Sequence, residues 1–544
     1  MRIHDNTEPR MPRVPLTLSR AAFVLAMIVA LGGCAVGPDF VKPDAPVSEH
    51  WSGKGDPRVV TQTAVNSRWW QAFNDPTLDR LIQAAYRQNL PLQIAALRIM
   101  ESRARLGLAI GSQFPQQQEA FGSGTKMGLS RYAPNSYSVD RNHWDYQLGF
   151  DAVWELDFWG KFRRDVEASR AGLIASMADY DDALVSLTAE VARTYTLIRT
   201  YQVLIDLASE NVQVQEEGLR IAESRFRNGV TTELDVAQAR TLLESTRAAI
   251  PQLQTQLQQS QNALATLLGQ PPGIVQTFLT EHQGIPTAPV EVAVSVPAEL
   301  LRRRPDIRSA ELAAAAQCAR IGIAKADLFP SFSLFGKLGY QTSIQGGAAS
   351  GKANFGDLFD SSSFFYSFGP QLNWPILNYG RLKNNVRIQD ARFQELLVNY
   401  RNTVLTATQE VEDSLTGFLK AQETSAREQK AVTSALRSVE IALTQYKEGA
   451  VDYQRVLDTQ RVLLQQQNNL AQARSTIATN LIALYKALGG GWELRQGEPI
   501  LAESTLAEMK KRTDWGNLLP PAPLPQTLPP AAPQKLPAFS SRGL

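Results

Sequence analysis

Cys34 follows Leu31-Gly32-Gly33 and closes an apolar run from Ala21 to Leu31. Arg10, Arg13 and Arg20 precede that run. A basic stretch, 11 apolar residues and small residues before a cysteine resemble a bacterial lipobox. The chemistry implied is diacylglycerol transfer to the Cys34 thiol, cleavage before it, and acylation of the new amine. The run is too short to cross a bilayer, so residues 1–33 read as a signal peptide. Asp5 and Glu8 are unusual ahead of such a run, which leaves Met11 as an alternative start. Ala35 follows the cysteine where an aspartate would resemble an inner-membrane retention signal, which favours the outer membrane. Each buried methylene of an acyl chain contributes ~0.8 kcal/mol, so two or three chains anchor firmly in outer-membrane lipid. A plain signal peptide with a chance cysteine is the competing reading.

Other chemistry is sparse. Cys318 is the only second cysteine, so no intrachain disulfide is expected. His4, His50, His143 and His282 are scattered without metal-ligand spacing. Gly346 to Lys352 has the spacing of a phosphate loop, but Ala353 stands where a magnesium-binding hydroxyl belongs. It also lies between strands, and reads as a glycine-rich loop. Arg302-Arg303-Arg304 reads as a solvated helix start. No nucleophile elbow, zinc-type helix or paired carboxylates appear, so neither an enzyme nor a cofactor is expected. A formal net charge of +2 gives no footprint for nucleic acid.

The scaffold around these residues repeats itself. Shifted by 220 residues, Trp154 falls on Trp374, Gly160 on Gly380, Tyr180 on Tyr400, Gly229 on Gly449 and Gly269 on Gly489. Upstream the shift is 215, where Ala104 to Pro115 aligns with Ala319 to Pro330. Matching Trp, Gly and Phe-Pro positions exceed what helical composition alone produces. The organisation expected is a signal peptide over 1–33, an extended lipidated segment over 34–74 and a first unit over 75–270. A linker over 271–296 carries Pro271, Pro272, Gly273, Gly284, Pro286 and Pro289, and a second unit spans 297–490. The last segment, 491–544, ends in a Pro-rich tail expected to be disordered.

Each unit reads as helix, strand, loop, strand, very long helix, turn, helix. The first helices are expected at about 77–112 and 297–328, ending before Pro115 and Pro330. Tyr146, Leu148, Phe150, Ala152, Trp154 and Leu156 alternate with polar or small residues. Tyr366, Phe368, Pro370, Leu372, Trp374 and Ile376 do the same, as do Phe332, Leu334, Gly336, Leu338 and Tyr340. Such period-2 segments suit strands tilted across a bilayer, apolar toward lipid and polar toward a lumen. The stretch 115–127 carries the weakest pattern. Lys161 to Phe226 and Arg381 to Tyr446 contain no proline and would each extend about 100 Å as helix. Met177, Leu184, Val191 and Ile198 recur every seven residues, as do Leu397, Val404, Val411 and Phe418. That period predicts coiled-coil packing in an elongated bundle.

Four strands leave two open edges, which lipid cannot satisfy, and the smallest closed membrane barrels have about eight strands. Several chains must therefore share one barrel. The arithmetic permits a dimer or a trimer.

Four blocks carry a family resemblance: Cys34 to Pro43, Arg225 to Arg240, Leu301 to Gly336 and Tyr446 to Leu464. They resemble the TolC-like outer-membrane efflux family, in its lipidated OprM/NodT-like branch, over about residues 34–490. The resemblance implies an α+β membrane fold: a homotrimeric transmembrane β-barrel, four strands per chain, continuing into a long periplasmic α-helical barrel. It implies a passive exit duct in a tripartite pump. The partners would be a periplasmic adaptor (membrane fusion) protein and an inner-membrane transporter of the RND type, which supplies the energy. Gly229 and Gly449 would close the helix-to-helix turns at the periplasmic tip. Around them Arg225, Arg227, Thr231, Lys447 and Asp452 would be exposed for adaptor docking. Asp458 and Arg461 match positions lining the family's periplasmic constriction. A ring of Asp458 carboxylates would favour cations, and Arg461 would tether helices through an ion pair. Gln454 stands where the family often has a leucine, so an apolar plug there is altered. Two rival functions remain at this level: an exit channel for type I protein secretion, and a non-conducting lipid-anchored coiled-coil scaffold.

Overall fold

The computed structural model describes residues 35–519, apart from 46, 62–66, 133–140, 280–283, 295–296, 298–302 and 345–354. The signal peptide, Cys34, Arg302, the 346–352 loop and the Pro-rich tail lie outside the described residues. A short strand, β1 (Val59–Thr61), is followed by α1 (Pro76–Gln88) and α2 (Leu90–Gly111). Strands β2 (Gln117–Gly128) and β3 (Asn142–Leu156) come next, then α3 (Lys161–Arg227) and α4 (Glu233–Leu267). The second half runs β4 (Val292–Val294), α5 (Pro305–Ala326), β5 (Ser331–Ile344), β6 (Phe364–Asn373), α6 (Arg381–Lys447) and α7 (Tyr453–Ala487). Helix α8 (Glu503–Arg512) follows.

Helices α3 and α6 each contain 67 residues, and α4 and α7 each contain 35. At 1.5 Å per residue the long pair extends about 100 Å. Their heptad positions Met177, Leu184, Val191, Ile198, Val404, Val411 and Phe418 are buried, while Leu397 is half-buried. Helix α4 carries Pro251 inside it. Among the described residues no helix is long and apolar enough to cross a membrane.

The single helix expected over 77–112 is two. Asn89 adopts an extended conformation, and its side chain accepts a hydrogen bond from the Leu92 amide at 2.8 Å. Pro91 sits in the first turn of the new helix, where a missing N–H does no harm. Pro297 and Arg303 are helical, but proline holds Arg304 extended, and α5 runs from Pro305.

β2, β3, β5 and β6 form one antiparallel sheet in that order, leaving β2 and β6 at its edges. Register aligns the three apolar stripes. Leu148 faces Tyr340, Phe150 faces Leu338, and Leu338 in turn faces Tyr366. The outcome is one contiguous apolar face, exposed at Phe150 (63%), Leu338 (51%) and Phe368 (77%). The opposite face carries His143, Asp145, Gln147, Asp151, Lys337 and Ser343. β2 contributes Ala120, Gly122 and Gly124 to the apolar side. There the Tyr146 ring lies 3.1 Å from where a Gly124 Cβ would stand, so β3 covers its small neighbours. That covering accounts for the weak pattern of 115–127.

The N-terminal segment runs along the helices as an extended strap. The Val36 amide donates to the Trp159 carbonyl at 3.0 Å. Asp39 pairs with Arg164 at 2.7 Å, and Lys42 with the buried Glu311 at 3.0 Å. Arg58 reaches Glu423 at 3.3 Å, and β1 pairs in parallel with β4, Val59 facing Val292. The main core gathers Trp69, Leu81, Tyr195, Phe418 and Leu481. The basic run at 302–304 is not solvated where described. Arg304 is buried and bonds Asp306, Glu410 and the Ala487 carbonyl, while Arg303 reaches Glu493 at 2.9 Å.

Candidate gate and docking tip

Both long helices end in the same turn. Gly229 (φ 74°) and Gly449 (φ 79°) adopt the left-handed conformation that closes a helix without a Cβ penalty. Val230 N–H donates to the Arg225 carbonyl at 2.9 Å, and Ala450 N–H to the Gln445 carbonyl at 2.8 Å. Each of these bonds satisfies a carbonyl that the helix end leaves free. α4 then starts with Glu233 and Asp235 in its first turn, where negative charge suits the helix dipole.

Around these turns Arg227, Gly229, Lys447, Gly449 and Asp452 are exposed. Arg225 and Thr231, expected to be exposed with them, are half-buried. Arg225 Nη1 donates to the Tyr446 carbonyl at 2.8 Å and to the Lys447 carbonyl at 3.2 Å. Its guanidinium lies 4.8 Å from the Tyr446 ring centre. The end of a helix offers free carbonyls and negative dipole charge, so a cation is stabilised there. The Thr231 hydroxyl donates to the Asp235 carboxylate. These two residues bind the two hairpin tips internally. A position beside a turn does not distinguish a free basic side chain from one folded onto a neighbouring helix end.

Gln454, Asp458 and Arg461 are exposed along the start of α7. Gln454 Nε2 donates to Asp458 Oδ1 at 2.9 Å. Among the described residues Arg461 forms no ion pair within the chain, so the tether expected of it has no intrachain carboxylate.

The sequence reading missed what lies beneath this surface. Tyr446 and Tyr453 are buried with ring centres 5.0 Å apart, and Val236, Leu242, Val456 and Leu457 pack around them. Burial pushes the Tyr453 phenol well above its usual range. The contact between α3 and α7 is a polar seam. Thr200 donates to Ser475 at 2.8 Å, and Asn211 Nδ2 to Gln467 Oε1 at 2.6 Å. Nearer the tip, Gln215 and Gln460 are buried to 1% exposure with neither amide hydrogen-bonded among the described residues. Gly218 lets the helices meet there, since a Cβ would stand 2.9 Å from the Tyr453 hydroxyl. A glycine inside a long helix disfavours it by about 1 kcal/mol relative to alanine, and was the available signal.

Among the described residues no cluster of potential metal ligands occurs. The surface offers exposed polar tips and a sheet with one apolar and one polar face.

A family model described as "Outer membrane efflux protein" matches residues 81–270 and 296–490. The chain is 31% identical over 468 residues to nodulation protein T of Rhizobium leguminosarum bv. trifolii, covering 85% of this chain and 95% of that one. It is 31% identical over 477 residues to the solvent efflux pump outer membrane protein SrpC of Pseudomonas putida, covering 86% and 98%. The solved outer-membrane channel OprN shares its fold with a TM-score of 0.78 at 32% identity, over 84% of this chain and 100% of that one. The apolar sheet face, the paired long helices and this full-length similarity converge: the chain belongs to the outer membrane efflux protein family and is an outer-membrane efflux protein.

Proposed function

We propose that three copies of this chain close one barrel and form the passive exit duct of a tripartite pump for small molecules. The observation that carries this is the four-stranded sheet with a contiguous exposed apolar face and two unpaired edges. In lipid each open edge strands several backbone hydrogen bonds, and closing the edges between copies removes that penalty. Three copies supply about 12 strands, within the range of membrane barrels. The equal lengths of α3 and α6, and of α4 and α7, support an internal tandem repeat, which makes the helical tunnel pseudo-sixfold. The units are taken as 75–270 and 297–490, joined by the 271–296 linker. The strap from Val36 holds the N-terminus against Trp159 at the helical end of the sheet, a position that suits a lipid on Cys34. The exposed tip around Arg227, Gly229, Lys447, Gly449 and Asp452 docks a periplasmic adaptor, which couples the duct to an inner-membrane transporter of RND type. Gln454, Asp458 and Arg461 line the closed end, and Arg461 finds its ion-pair partner on a neighbouring chain.

The test is single-channel conductance of detergent-purified protein in planar bilayers, with mass from light scattering. A trimer with small, discrete steps is expected. A detergent-independent species without conductance would establish the scaffold reading instead.

A further inference from the structure

On the polar face of the sheet, two neighbouring rows run straight across all four strands. One row is Phe121, Gly149, Gly339 and Phe365. The next is Glu119, Asp151, Lys337 and Ser367. The glycines admit no side chain: a Cβ on Gly149 would stand 2.4 Å from the Leu338 carbonyl oxygen, and one on Gly339 2.4 Å from that of Leu148. The first row is therefore bare backbone between two phenyl rings, and Phe121 leans in until its Cζ is 2.8 Å from the Cβ position of Gly149.

Lys337 responds to that row. Directly cross-strand from it stands Asp151, yet the two form no ion pair within 4.0 Å. The ammonium instead lies 4.3 Å from the Phe121 ring centre and 5.6 Å from that of Phe365. Two ring faces attract the cation electrostatically. β3 ends at Leu156, just before α3, so the Phe121 row lies farther from the helices than the Glu119 row. The rings thus separate the charges: carboxylates toward the tunnel, ammonium toward the far side.

We propose that Lys337 is a charge-selecting residue of the exit lumen, where its three copies favour the passage of anionic solutes. This rests on the shared-barrel reading. A lysine paired with Asp151 would present almost no net field. Held on the rings, it remains a positive charge on a water-lined wall, the arrangement that sets ion preference in pores. Across a wide lumen the effect is felt where the screening length is about 10–30 Å, at ionic strengths of roughly 0.1–0.01 M.

The experiment measures reversal potentials of the full-length channel in a KCl gradient at low ionic strength. Lys337→Gln is expected to lower the chloride-to-potassium permeability ratio by about twofold or more. Lys337→Arg keeps the wild-type ratio, and Asp151→Asn raises it. The double variant Phe121→Leu/Phe365→Leu retains the lysine but removes its platform, so it lowers the ratio as Lys337→Gln does. An unchanged ratio in an assembled, conducting Lys337→Gln channel overturns the assignment. A wild-type protein without conductance overturns the barrel reading and this assignment with it. If Lys337→Gln does not assemble, the Phe121/Phe365 double variant decides the matter.

Discussion

Arg225, on α3, stacks 4.8 Å from the Tyr446 ring of α6 and caps that helix through the Tyr446 carbonyl at 2.8 Å. One side chain thus clasps the ends of both long helices. A charge-assisted hydrogen bond contributes about 1.5–3 kcal/mol, and a cation over a ring roughly 0.5–1 kcal/mol more. Arg225→Ala is therefore expected to loosen the tip, raising the fraction of time the isolated channel spends open. Arg225→Lys restores this only in part, because an ammonium lacks the planar guanidinium that lies on the Tyr446 ring while its Nη1 donates to both carbonyls. Bilayer recordings of both variants check this, and unchanged open times would reduce Arg225 to a spectator.

Gln215 and Gln460 are buried polar groups that the α3–α7 seam leaves unbonded. A buried unsatisfied amide costs about 1–3 kcal/mol, and an apolar replacement of similar shape removes that penalty. The double variant Gln215→Leu/Gln460→Leu is expected to melt at higher temperature and to open less often. A lower melting temperature would mean that the amides bind water or each other in solution.

Asp458 is exposed at the start of α7 and is held by Gln454. Asp458→Ala is expected to raise the conductance of the isolated channel and weaken its cation preference, because a ring of carboxylates both narrows and charges a pore. Conductance equal to wild type would remove Asp458 from the gate.

Asp182 lies half-buried on α3, and its carboxyl is pushed up to about 6, first by burial and then by the nearby Asp306 carboxylate. A folded-state value above the usual carboxylate range means the native state holds the proton more tightly than the unfolded chain. Stability from this group is full below about pH 4 and is lost as pH rises toward 6. Asp182→Asn is expected to flatten that loss and to be more stable than wild type at pH 7 by on the order of 2 kcal/mol. Melting curves from pH 4 to 8 provide the check; parallel curves for the two proteins would refute the burial argument.

Much of the architecture was legible in the chain. Period-2 stripes through Tyr146, Phe332 and Tyr366 located three strands, and proline-free heptads located α3 and α6, because those patterns follow from local backbone geometry. The split at Asn89 was missed because the apolar pattern continues through it, while one amide cap and Pro91 decide the break. The proposed gate was read from the exposed residues Asp458, Arg461 and Gln454. Tyr446, Tyr453 and Gln460 beneath them stand seven residues apart, in step with Val404, Val411 and Phe418, but the turn at Gly449 interrupts the helix between them and hides that continuity.

By itself, then, the sequence determined the kinds of element, their order, the lengths of the two long helices and the turns at Gly229 and Gly449, each a property of neighbours along the chain. Only the tertiary structure decided which side chains are free. Arg225 and Arg304 read as solvated cations, yet both are folded onto helix ends more than 180 residues away. Lys337 stands directly cross-strand from Asp151, yet it rests on aromatic rings. The reason is physical: a long charged side chain samples several partners of comparable strength, and register and packing select among them.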